Sequence, residues 1–77
     1  MEALASVSTP ETFAHRVRRA RVELGLDQRT FARRLDVSPA TVARWETGRS
    51  ARPRPLYLQR LSALTGRPIS YFTDGLP

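Results

Sequence analysis

One connection in the chain leaves little freedom to the segments it joins. Asp36 and Val37 alone stand between a helical stretch ending at Leu35 and the helix-start signal Ser38-Pro39. Ser38 can accept a free amide of the following turn, and proline suits the first helical position because its missing N–H has no partner there. Val37 can pack onto Val42 as a hydrophobic staple. The same device precedes the stretch: the Asp27 carboxylate can accept the amide of Thr30, with Leu26 and Phe31 in the staple positions. These signals predict a second helix over 28–35 and a third over 39–47, stopped near Thr47-Gly48. Helices separated by so short a turn must meet at a steep angle, which is a helix-turn-helix.

The remainder reads as helices packed around that unit. Residues 1–9 have no sustained period and read as a flexible N-terminal arm; residues 10–77 read as the domain. Ser8 with Glu11, or Thr9 with Pro10, supplies a cap that starts the first helix near residue 10. Phe13, Val17, Ala20 and Leu24 then lay an apolar stripe ending at Gly25, with Arg16, Arg18 and Arg19 mostly off it. Arg49 to Pro55 carries no such stripe and reads as an extended, exposed, positively charged loop. Pro55 opens a fourth helix lined by Leu58, Leu61 and Leu64 and stopped by Gly66 and Pro68. Ile69 to Gly75 is most simply a short helical turn capped by Ser70. Without repeats or strand-like alternation, the expected class is all-α, a compact five-helix domain.

Charge and composition narrow the chemistry. The 77 residues suffice for one small domain. Thirteen basic residues, every one Arg, against seven acidic residues leave a net charge of +6, which makes polyanions the first partners to consider. The absence of cysteine rules out disulfides, thiolate nucleophiles and Cys-rich zinc sites, and a lone histidine, His15, cannot build a metal cluster. His15 reads as a surface residue. No phosphate loop, nucleophile elbow or paired carboxylates occur, so a binding protein without cofactor or metal is expected rather than an enzyme. No apolar run approaches the ~18 residues needed to span a bilayer and residues 1–10 lack a secretory pattern, so a cytoplasmic address is the default expectation.

The segment from Gln28 to Gly48, with small Ala32 in the second helix, Val42 and Trp45 in the third, and the ending Trp45-Glu46-Thr47-Gly48, resembles the helix-turn-helix of the lambda-repressor-like family of prokaryotic and phage regulators. The likeness extends over residues 13 to 72. It departs at the turn, where Asp36 replaces the usual Gly; Asp tolerates the left-handed conformation better than most residues. The resemblance implies a lambda-repressor-like domain that binds double-stranded DNA, a phosphate contact at Gln28, a structural ion pair between Arg21 and Glu46, dimerisation, and an address on the bacterial nucleoid.

The major groove admits a helix and shows a distinct donor and acceptor pattern for each base pair. With Val42 and Trp45 turned inward, Pro39, Ala40, Thr41 and Arg44 are the candidate base-reading residues. Arg44 can place two hydrogen bonds on guanine; Pro39 and Ala40 offer apolar contact, most usefully to a thymine methyl. Gln28, Thr47, Arg49, Arg52 and Arg54 are candidate phosphate contacts. About four neutralised phosphates per chain give a log–log salt slope near −3.6. Arg18, Arg19, Arg33, Arg60 and Arg67 read as solvated helix faces as readily as DNA contacts. Trp45 and Phe72 are assigned to the core rather than to base stacking.

A sequence-specific regulator, more simply a repressor acting on an inverted-repeat operator as a homodimer, is therefore expected. Ile69, Tyr71 and Leu76 are its candidate dimer surface, with ordinary core closure as the other role open to them. The competing class is a protein-interaction module, such as an antitoxin neutralising a toxin, with or without operator binding. Association with an anionic membrane is disfavoured, because the arginines are spread around short capped helices with no exposed apolar face.

Overall fold

The computed structural model describes residues 12–48 and 53–73, and all of its regular structure there is helical. Helix α1 spans Phe13–Glu23, α2 Gln28–Leu35, α3 Pro39–Thr47, α4 Pro55–Thr65 and α5 Ile69–Thr73. The expected arm at residues 1–9 lies outside the described residues.

Most helix ends are set by their own sequence. Asp27 accepts the Thr30 amide at 2.7 Å, and Ser38 Oγ accepts that of Thr41 at 3.2 Å. Gly48 and Gly66 close α3 and α4 in the left-handed conformation, with φ of 75° at each. The helix carrying the Phe13 stripe starts later than residue 10, and the expected caps, Ser8 with Glu11 or Thr9 with Pro10, lie outside the described residues. Thr12 is extended, with φ −120° and ψ 166°, and its side chain accepts the His15 amide, so α1 begins at Phe13. Ser70 does not cap the last helix either. The Pro68 carbonyl already accepts the Tyr71 amide at 2.9 Å, which places Ser70 inside the first turn.

The core draws from every helix: Val17 and Ala20 of α1, Phe31, Ala32 and Leu35 of α2, Val42 and Trp45 of α3, Leu58 and Leu61 of α4, and Phe72 of α5. Leu26, Val37 and Leu64 are half-buried against it. Small side chains at Ala20 and Ala32 allow close approach of the helices, with α3 packed on both α1 and α2, α4 on α2, and α5 closing over α1 and α4. Leu24 is not part of the stripe. It follows the last helical residue of α1 and is 41 % exposed, while Ala14 takes a buried place on the inward face.

Trp45 is the hub on the inner side of α3. Its ring meets Phe13 edge-on with centroids 6.3 Å apart and Tyr57 at 6.1 Å, so helices before and after the helix-turn-helix hold the same indole. Aromatic pairs in this range add about 0.5–1.5 kcal/mol beyond burial of their area. Trp45 is thus a packing residue.

Candidate nucleic-acid interface

Helix α3 has two contrasting sides. Val42 and Trp45 are buried, whereas Pro39, Ala40 and Arg44 are exposed and Thr41 is half-exposed. The difference follows from the 3.6-residue period: residues 42 and 45 share one stripe, and residues 40 and 44 fall on another. Arg44 therefore presents its guanidinium to solvent. Thr41 is less free, because its hydroxyl is 2.9 Å from Ser38 Oγ at the helix start. Thr47 Oγ1 donates to the Arg44 carbonyl at 3.1 Å.

Behind the exposed side, a polar knot joins three helices. Arg21 of α1 donates from Nε to one oxygen of Glu46 at 2.7 Å and from Nη2 to the other at 3.0 Å. Gln28, at the start of α2, donates to the second oxygen at 3.1 Å. A further Arg21 hydrogen bond reaches the Leu26 carbonyl at 2.7 Å. The hydrogen bond to Glu46, followed by the attraction of Glu46 and Asp27, holds the Arg21 guanidinium above its ordinary pKa range despite partial desolvation. A bidentate pair of this geometry fixes orientation as well as energy. It anchors the C-terminal half of α3 to α1, and the start of α2 to both.

Gln28 is thus engaged through its side-chain amide with Glu46, so a phosphate contact at this residue falls to its backbone amide or requires the side chain to be shared. Ahead of it, hydrogen bonds from the Thr30 amide and then its side chain hold Asp27 below the usual carboxylate range, assisted by Arg29 and Arg33.

A shallow cleft of about 350 Å³ opens beside the start of α3, lined by Arg29, Arg33, Asp36, Val37 and Pro39. Arg29 and Arg33 are exposed and one helical turn apart on α2, opposite its buried Phe31, Ala32 and Leu35. Arg29 was absent from the candidates drawn from the sequence, although the i, i+4 spacing of two arginines on the outward face of α2 carries the signal. Arg54 is exposed at the entry to α4; Arg49 and Arg52 lie outside the described residues.

Arg60 and Arg67 are not simple solvated faces. Arg60 donates to the carbonyls of Leu35 and Asp36. Arg67 pairs with Glu23 and lies over the Tyr71 ring, 4.5 Å from its centroid. Tyr71 is half-buried against Phe72, with ring centroids 5.0 Å apart, and its carbonyl accepts Arg16 at 3.0 Å. It packs against the core without being fully buried, Ile69 is 38 % exposed, and Leu76 lies outside the described residues.

The helix-turn-helix family model matches residues 17–72, most of the chain and all of the elements just described from the middle of α1 onward. The chain belongs to the lambda-repressor-like helix-turn-helix family. This places it among DNA-binding transcription regulators, which are normally not enzymes. A search of curated proteins finds no match. Among solved structures, the DNA-binding domain of the P22 C2 repressor, determined in solution, is similar in fold, with a TM-score of 0.77 and 22 % identity over 87 % of either chain. Within the helix-turn-helix, one side of α3 is held by the protein and the other is exposed. No helix among the described residues is long and apolar enough to cross a membrane.

Proposed function

We propose that this helix-turn-helix protein is a sequence-specific reader of double-stranded DNA that represses transcription by occupying an inverted-repeat operator. Helix α3 lies in the major groove. Arg44 gives two hydrogen bonds to the acceptor edge of a guanine, while Pro39, Ala40 and Thr41 contact neighbouring bases. Gln28, Thr47, Arg49, Arg52 and Arg54 hold the phosphates that set the register, and Arg29 and Arg33 join them from the outer face of α2. Two copies read half-sites about 34 Å apart. The contact between copies comes from the C-terminal segment, with Ile69 and Leu76 supplying apolar surface.

The observation that carries this reading is the pairing of an exposed Arg44 side of α3 with an opposite side locked by Arg21, Glu46 and Gln28. A reader helix needs both, because base contacts discriminate only when the helix is held at one angle.

The test is selection of bound duplexes from a random pool at near-physiological salt. An enriched inverted repeat with a guanine in each arm is expected. Arg44→Ala then relaxes preference at that guanine, by about 1–3 kcal/mol of discrimination. Arg54→Ala weakens all sequences alike and flattens the salt slope by about 0.9. Retention that is salt-sensitive but unselective overturns the reading, and capture of a protein partner unaffected by Arg44→Ala replaces it with the interaction class.

A further inference from the structure

The turn between α2 and α3 is unusual in its chemistry. Asp36 adopts φ 59° and ψ 45°, a left-handed conformation that side chains other than glycine disfavour. The end of α2 is otherwise a Schellman motif: the Val37 amide donates to the Ala32 carbonyl at 3.0 Å, and the Asp36 amide to that of Arg33 at 3.1 Å. These bonds satisfy the carbonyls of Ala32 and Arg33, one turn back, and leave those of Leu35 and Asp36 to other donors.

Arg60, from the middle of α4, meets both. Its Nη1 donates to Leu35 O at 3.2 Å and to Asp36 O at 3.4 Å. Its guanidinium carbon stands 5.7 Å from the Tyr57 ring centroid, and Tyr57 in turn packs against Trp45 of α3. The positive group also sits at the negative end of the α2 dipole. A single side chain 24 residues along the chain from Asp36 therefore touches the turn itself and, through Tyr57, the ring that fixes the buried side of α3.

We propose that Arg60 is a positioning residue for DNA reading: by holding the left-handed turn at Asp36, it sets the angle at which α3 leaves α2, and so the aim of Arg44. Arg60 touches no base in this scheme. Its loss loosens base discrimination while leaving the exposed arginines, and with them the charge-driven attachment to any duplex, in place. The inference rests on the DNA-reading proposal above. A wild-type protein with no preferred duplex removes both, whereas a preferred duplex with discrimination independent of Arg60 removes this one alone.

The test compares affinity for the selected duplex with affinity for a scrambled duplex of the same length. In Arg60→Met the aliphatic stem stays and the donors go. The ratio of the two affinities is expected to fall about tenfold, within the range that separates a right base from a wrong one, with scrambled-duplex affinity held within about twofold. Arg60→Lys, which retains a donor and the charge, recovers part of the ratio. Asp36→Gly combined with Arg60→Met recovers most of it, because glycine adopts the left-handed turn without help. That double variant also keeps the proposal testable where Arg60→Met alone does not fold. An unchanged ratio in Arg60→Met, an equal loss on both duplexes, or a double variant no better than a folded Arg60→Met overturns the proposal.

Discussion

Among the described residues, two arginine–glutamate pairs that tie α1 to other elements differ in their surroundings, which give them different work. Arg21 and Glu46, between α1 and α3, have side chains only 13 % and 5 % exposed; Arg67 and Glu23, where the α4–α5 connection meets α1, are 39 % and 47 % exposed. Glu46 accepts hydrogen bonds from two arginine nitrogens and from Gln28, so its charge is matched where water is scarce. Glu23 is largely solvated whether or not Arg67 reaches it. The inner pair therefore enforces one arrangement of three helices, since a buried charge left without its partner is costly. The outer pair adds a contact that solvent can replace. The demanding pair sits at α3, the helix proposed above to read DNA.

The strongest way to break this contrast is Arg21→Met. It leaves Glu46 buried with Gln28 as its remaining side-chain donor, and should cost about 3 kcal/mol of stability in urea unfolding. Replacing Glu46 by Leu in the same chain should return much of that loss, because the cost lies in the orphaned charge. If Arg21→Met unfolds at the wild-type urea midpoint, the inner pair is no more important than the outer one.

At the outer joint the expected changes are smaller and differ in sign. The Tyr71 hydroxyl is buried with no hydrogen-bond partner among the described residues. Tyr71→Phe should then leave stability unchanged or raise it by up to about 1 kcal/mol, as calorimetry would show. Arg67→Met removes the Glu23 pair and the contact over the Tyr71 ring, and should cost about 1 kcal/mol or less. Raising the salt concentration should shrink the Arg67 effect and leave that of Arg21 nearly intact, since exposed charges are screened first.

The smallest effect is a pH dependence at the exposed cap of α2, beside the inner joint. Asp27 has a folded pKa lowered chiefly by the Thr30 amide, so its contribution is present above the unfolded value near ~3.9 and is lost as pH falls through the folded value. The carboxamide introduced by Asp27→Asn would still accept the amide but would not titrate. The difference in urea midpoint between wild type and Asp27→Asn should therefore be steady near neutrality and change only below about pH 4. A difference that varies between pH 5 and 8 would place the titration elsewhere.

The helix-turn-helix was the most legible part of the chain because its signals act over three or four residues. Asp27 and Ser38 each cap within their own first turn, Pro39 opens α3, and Asp36 bears the left-handed angle that the short connection demands. The alternation of buried and exposed positions on α3 likewise follows from helical period once Trp45 is assigned to the core. The Arg21–Glu46 contact was legible only through family resemblance, since nothing in the spacing of residues 25 apart requires them to meet.

What the sequence by itself determined is local: where α2 and α3 begin, where α3 and α4 stop, and which side of α3 turns inward, because capping, proline geometry and helical period operate within a turn or two of the chain. What only the tertiary structure decided is the employment of the arginines. Arg16 finds the Tyr71 carbonyl 55 residues away, Arg67 finds Glu23 across 44, and Arg60 finds the end of α2 across 25. A long, charged side chain with several donors has the same local preferences whether it ends in water, on a carbonyl or against a phosphate. The approach of another helix chooses among them, and that approach is set by the packing of Ala20, Phe31, Ala32, Trp45 and Phe72 rather than by any residue next to the arginine.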